Sequence, residues 1–285
     1  MVDLVERSGI TLGTMSSSVT ESSQNPPIWE PQRLPEKQTV HWHCGALELL
    51  VRRQGCDWLA QSVQHPQDDH QEKLVRFTDD EAGIQGAQRW AFDRPLDNFV
   101  VRPGMPDRPV VVRPYDPLFL PKGCEVVFYV SIPLWMELCV VDGKQVIPLR
   151  KYPSLVVTSI WFGDPMSGVL CYSLKSRALR NLSGVVPAAH RATCPVTIRN
   201  SCDESLPIEK FCLHVAHLGV YEGGDRHWAQ PVLLHNFDKA KPSRIEYGNQ
   251  APKEAPNPKL LAEPAEKPQQ GLMARTFRSE AIRFF

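Results

Sequence analysis

The run "CEVVFYVSIPLWMELCVV", residues 124–141, decides the fold class. Its 18 residues come close to the roughly 20 apolar residues that a membrane-crossing helix needs. The period argues against a span. Val126, Phe128, Val130 and Ile132 alternate with Glu125, Val127, Tyr129 and Ser131; beyond Pro133, Leu134, Met136, Leu138 and Val140 alternate with Trp135, Glu137, Cys139 and Val141. Side chains of a strand point to opposite faces with period two, so this is a pair of strands, or one long bent strand, with one buried face. Glu125 and Glu137 on the other face would be costly in lipid.

The same period recurs outward from this run. It is found at Leu47, Leu49 and Val51; at Leu155, Val157, Ser159 and Trp161; at Leu170, Tyr172 and Leu174; at Val196 and Ile198; at Phe211, Leu213 and Val215; and around Trp228, Val232 and Leu234. Turn signals separate these runs: Asp142-Gly143, Gly163-Asp164-Pro165, Asn200-Ser201 and Gly223-Gly224-Asp225. Helical periodicity is nearly absent between Val40 and Tyr247. Many short strands with regular turns imply an all-β chain, an antiparallel β-sandwich over residues 37–248. The proline-dense stretch 103–121 is where it would divide if it were two sandwich-like halves.

Different compositions flank that domain. Residues 1–36, with a polar Ser/Thr stretch at 16–23 and the Pro26-Pro27 pair, are expected to form a disordered arm. Residues 249–270 carry five prolines among lysines and glutamates and are expected to be an extended linker. In residues 271–285, Met273, Phe277, Ala281 and Phe284 or Phe285 recur at helical spacing, which predicts a short amphipathic helix. A tethered helix of this kind suits docking on a partner, with Met273, Phe277, Ile282, Phe284, Phe285, Arg275 and Arg278 as the contact residues.

Thirty-two basic and thirty-two acidic side chains cancel, so no global field draws the chain to nucleic acid or to an anionic membrane. The first thirty residues hold no apolar run of signal-peptide length. Together with eight cysteines and no Cys-x-x-Cys pair, this points to reduced thiols in a cytoplasmic protein, reaching the inner membrane, if at all, as a peripheral protein through a partner.

Few residues carry a pattern of chemistry. His41-x-His43, Glu48 and Gly55 follow the spacing of a first cupin motif, and two histidines on one strand face with a carboxylate could hold Fe, Mn or Zn. Against this, Pro35 stands where the leading glycine belongs and no second cupin motif follows. Leu47, Leu49 and Val51 also imply one continuous strand that would turn Glu48 away from His43. His214 and His217 read as strand residues on opposite sides. "WFGDPMSGVLCYS", 161–173, reads as a hairpin with its turn at 163–168 and Cys171 as a packing residue, and no nucleophile or phosphate-loop motif is present. No catalytic residue, metal or cofactor is therefore expected.

The run "LVVTSIWFGDPMSGVLCYSLKSRA" at 155–178, preceded by "PKGCEVVFYVSIPL" and followed by "CPVTIRNSCDESLPIEKF", resembles the domain of unknown function 432 family over roughly residues 40–235. The resemblance implies a β-rich prokaryotic protein, found in association with mechanosensitive ion channels, and brings no catalytic residue. The expectation is then a non-enzymatic accessory module that docks on a protein partner, such as a membrane channel, through its C-terminal helix or sandwich surface. The alternatives are a cupin-like metalloenzyme using His41, His43 and Glu48, and a ligand- or carbohydrate-binding sandwich using clustered Trp58, Trp90 or Trp228.

Overall fold

In a computed structural model, the structure describes residues 28–65, 73–79, 84, 86–166, 168–238, 242–267, 272–274 and 276–277. The described chain is all-β, as the two-residue period implies. Residues 124–141 form two strands that belong to different sheets. Glu125–Pro133 pairs antiparallel with Arg191–Asn200, whereas Trp135–Asp142 pairs with Asn98–Gly104 on one side and Gln145–Pro153 on the other. The chain changes sheets at Leu134, whose N–H donates to the His190 carbonyl and whose own carbonyl accepts from Ser154. Pro133 cannot extend a ladder, which is why the crossing falls there.

Five sheets result. An antiparallel five-stranded sheet carries Thr39–Cys44, Leu47–Gln54 and Asp57–Gln64 at its centre. A four-stranded antiparallel sheet holds the pair around Trp135–Asp142, with Gln32–Arg33 at its edge. The eight-stranded sheet is mixed, because Arg191–Asn200 runs parallel to Arg226–Ala229 and to Val232–Asn236. A second four-stranded sheet contains the 158–178 hairpin, and Val169–Ala178 there runs parallel to Val110–Pro114. A two-stranded ribbon, Leu118–Leu120 with Leu206–Ile208, completes the set. One contiguous hydrophobic core draws on all five, from Ile28 to Ile245, and includes Val110 and Val112 from the proline-dense stretch.

Three flanking expectations are corrected. Residues 28–36, assigned to a disordered arm, are part of the body: Gln32 and Arg33 pair with Phe99 and Asn98, and Ile28 and Leu34 are buried. Their apolar side chains are separated by prolines and charges, so no period announced them. The stretch 249–267, read as a linker that buries little, is tied down. Ala255 is buried, the Tyr129 hydroxyl donates to Glu254 at 3.2 Å, and Lys259–Ala262 adds an edge strand to Val220–Gly223.

The third concerns the C-terminal segment. Leu272–Ala274 is a strand, not the start of a helix, and pairs with Ser243–Ile245. Leu272 and Ala274 turn inward while Met273 is exposed. Over so short a segment, apolar residues four apart satisfy a strand as well as a helix, and an open sheet edge decides between them. Phe277 continues the docking by bridging Phe211. Arg275, Arg278, Ile282, Phe284 and Phe285 lie outside the described residues. No helix among the described residues is long and apolar enough to cross a membrane.

Candidate functional site

The histidine-glutamate group is built by one turn. Gly45, at φ 64°, lets the chain reverse between Thr39–Cys44 and Leu47–Gln54. The register then sets His43 directly opposite Glu48. Opposed residues share a face, so the expectation of one continuous strand with Glu48 turned away is overturned. His41 shares that face by its two-residue offset from His43, and His65 arrives at the end of Asp57–Gln64. The Glu48 carboxylate only accepts, so the nitrogens that meet it carry the protons. His41 Nδ1 donates to Oε1 at 3.1 Å and His65 Nε2 donates to Oε2 at 3.0 Å. The His43 and His65 rings stand edge to face, 6.1 Å apart.

Sequence reasoning missed His65, since only the pairing of a third strand brings it in. Among the described residues no group of three or more His, Cys, Asp or Glu is arranged to hold a metal ion. Both carboxylate oxygens are instead occupied by imidazole N–H groups. Partial burial works to raise the Glu48 pKa, but the hydrogen bonds from His65 and His41 outweigh it and hold the carboxyl below its ordinary value of 4.5. A carboxyl with a lowered folded pKa stabilises the fold above its unfolded pKa, and that contribution is lost as pH falls through the folded value. Glu48→Gln is therefore expected to cost at most ~1 kcal/mol near neutral pH, given the exposure of the group. The gap between variant and wild type in urea midpoints should close below pH 4.5; a gap independent of pH would refute it.

A cleft of about 1060 Å³ opens where three sheets come together. Its floor is a row across adjacent strands, Arg102 opposite Glu137 opposite Lys151, with Lys151 Nζ 3.7 Å from Glu137 Oε1. Trp135 flanks the row and is held against Tyr172, ring centroids 5.2 Å apart. Tyr172 is fixed in turn by donating to Asp107 at 3.0 Å. On the opposite wall, Trp29 packs against Trp42 and His227 at 6.0 and 5.5 Å, which anchors the segment bearing Glu30. Glu222, Lys259 and Glu263 complete the rim. Cys139 shares the floor's face, and burial together with Glu137 pushes its thiol up to about 12, so it is no thiolate nucleophile near neutral pH.

The remaining sequence candidates are placed plainly. Trp58 and Trp228 lie in the core and Trp90 is half-buried, so these three do not form an exposed aromatic face. His214 precedes a 3-10 turn, Val215–His217, rather than lying in a strand; burial lowers its pKa, and His217 stacks on Tyr247 at 5.2 Å. The 161–173 hairpin forms as expected, with Phe162 opposite Val169. Cys171 is buried with its sulfur 3.7 Å from that of Cys212, and none of the eight cysteines is in a disulfide.

No curated protein matches the chain. No solved structure matches it either. The model of the family described as "Protein of unknown function (DUF432)" matches residues 28–283, a wider span than the roughly 40–235 over which the sequence resembles it, and the chain belongs to that family.

Proposed function

We propose that the protein is a non-enzymatic binding module that holds a small zwitterionic ligand, such as an amino acid or short peptide, in the cleft over Arg102, Glu137 and Lys151. The observation that carries this is the alternation of charge along the floor beside Trp135. An ammonium group meets Glu137 while a carboxylate meets Arg102 or Lys151, and the indole shields both from water. The rim also carries both signs, with Glu30, Glu222 and Glu263 beside Lys259. The raised thiol of Cys139 supports a site that binds rather than attacks. Docking on a protein partner, a membrane channel included, is the second reading. It is favoured by the exposed side chains of Trp161 and Leu170, opposite each other on the 158–178 hairpin with Met166 at its tip.

Titration of tryptophan fluorescence tests the cleft, with glycylglycine as zwitterion, glucose as neutral polyol and inorganic phosphate as anion. The expected result is a saturable change with glycylglycine alone, weakened ~tenfold or more in Glu137→Gln, since removing one partner of a charge-assisted contact costs at least that. A response to none of the three, or one unaltered by Glu137→Gln, would sink the reading.

A further inference from the structure

A second concavity, away from the cleft, has a different chemistry. It measures about 700 Å³, within the range of about 300–1,000 Å³ usual for small-molecule sites. Lys175, Arg177 and Arg191 line it together with Ser131, Ser176 and Tyr115, and no aspartate or glutamate does among the described residues. Its apolar wall is Leu155, Val156, Leu179, Val185 and Val186, of which Val156 and Val186 are exposed. Asp116 and Glu125 line the adjoining depression instead, where Glu125 is bound to Arg199 at 2.9 Å.

The backbone explains why the cations gather. Lys175 and Arg177 are two apart on Val169–Ala178 and so share a face. The register of that strand with Val110–Pro114 sets Arg177 beside Arg113. Like charges placed opposite each other destabilise a strand pair, yet neither Arg113, Lys175 nor Arg177 has an ion-pair partner among the described residues. Lys175 and Arg177, without ion-pair partners among the described residues, stand beside this apolar wall, an arrangement complementary to an anion that carries a hydrocarbon part.

We propose that this pocket binds an amphipathic anion, a phosphate or carboxylate head on a single apolar chain. The head lies against Lys175 and Arg177 and the chain against Val156, Val185 and Val186. The site is concave and of small-molecule size, so the ligand is a monomeric amphiphile and not a bilayer surface. It is independent of the cleft, and either can fail without the other.

Calorimetric titration with dodecyl phosphate, dodecanol and inorganic phosphate tests it, alongside co-sedimentation with phosphatidylcholine vesicles with and without phosphatidylglycerol. Dodecyl phosphate is expected to bind saturably and the other two probes at least ~tenfold more weakly, because each offers one half of the complementarity. Lys175→Glu with Arg177→Glu, both on exposed side chains, should abolish that binding while the unfolding midpoint holds. Val186→Asn should weaken dodecyl phosphate but not inorganic phosphate. Equal binding of inorganic phosphate, unaltered affinity in the double variant, or capture by anionic vesicles without any binding of dodecyl phosphate would each overturn the proposal.

Discussion

Gly45→Ala is expected to destabilise the protein by about 2–4 kcal/mol, read as a fall in the urea midpoint at unchanged slope. Two effects combine. Gly45 sits at φ 64°, a region that a residue with a side chain enters only at a cost. A Cβ there would also lie 2.7 Å from His190 Cγ and 3.0 Å from both His190 Cβ and Cδ2. His190 is itself buried, and its carbonyl accepts from Leu134 and from the Ser154 hydroxyl. It therefore cannot swing aside without disturbing the point where the chain passes from one sheet to another. The same turn sets His43 opposite Glu48. The pH-dependent gap between Glu48→Gln and its parent should consequently shrink in the Gly45→Ala background. A midpoint within ~0.5 kcal/mol of wild type would show that the turn tolerates a side chain.

That turn also marks what the sequence could and could not show. The period of two along 124–141 is enough for strand structure, one bent strand or two, because alternation is a local property: Glu125–Pro133 alternates in burial, although Trp135–Asp142 also buries Trp135 and Cys139 on its second face. Likewise the 161–173 hairpin was legible from its glycines and proline. Sheet membership was not: that Glu125–Pro133 joins Arg191–Asn200 depends on contacts some sixty residues apart. The histidine group failed in the reading for a narrower reason. The period at Leu47, Leu49 and Val51 runs Gly45-Ala46 into a continuous strand, and one hidden reversal moves Glu48 to the other side. The cleft was invisible, since Arg102, Glu137 and Lys151 come from three strands and only their register aligns them. Parallel pairing in the larger sheets was equally silent, because it leaves no short turn between neighbours.

Phe211→Ala is expected to cost about 3–5 kcal/mol, a large share of the roughly 5–15 kcal/mol that holds a protein of this kind together. Phe211 is fully buried, packs on Phe128 with ring centroids 5.9 Å apart, and bridges Phe277 near the end of the chain. Cys212 beside it donates its N–H to the Thr276 carbonyl at 2.8 Å. Of the residues that periodicity marked as a docking helix, Phe277 is thereby part of the wall around this core. Phe277→Ala, at a half-buried position, should cost about 1–2 kcal/mol. Because Phe277 pairs with Phe211 across one backbone bridge and packs against the core that holds it, the double variant should fall short of the sum by about 0.5 kcal/mol or more. A segment free to meet a partner would behave otherwise: Phe277→Ala would leave the urea midpoint unchanged and the cycle would close additively. Either outcome would return residues 272–277 to a docking role. The expected coupling instead leaves the exposed Met273, among the described residues of that segment, as a side chain able to meet another molecule without unfolding the edge of the sheet.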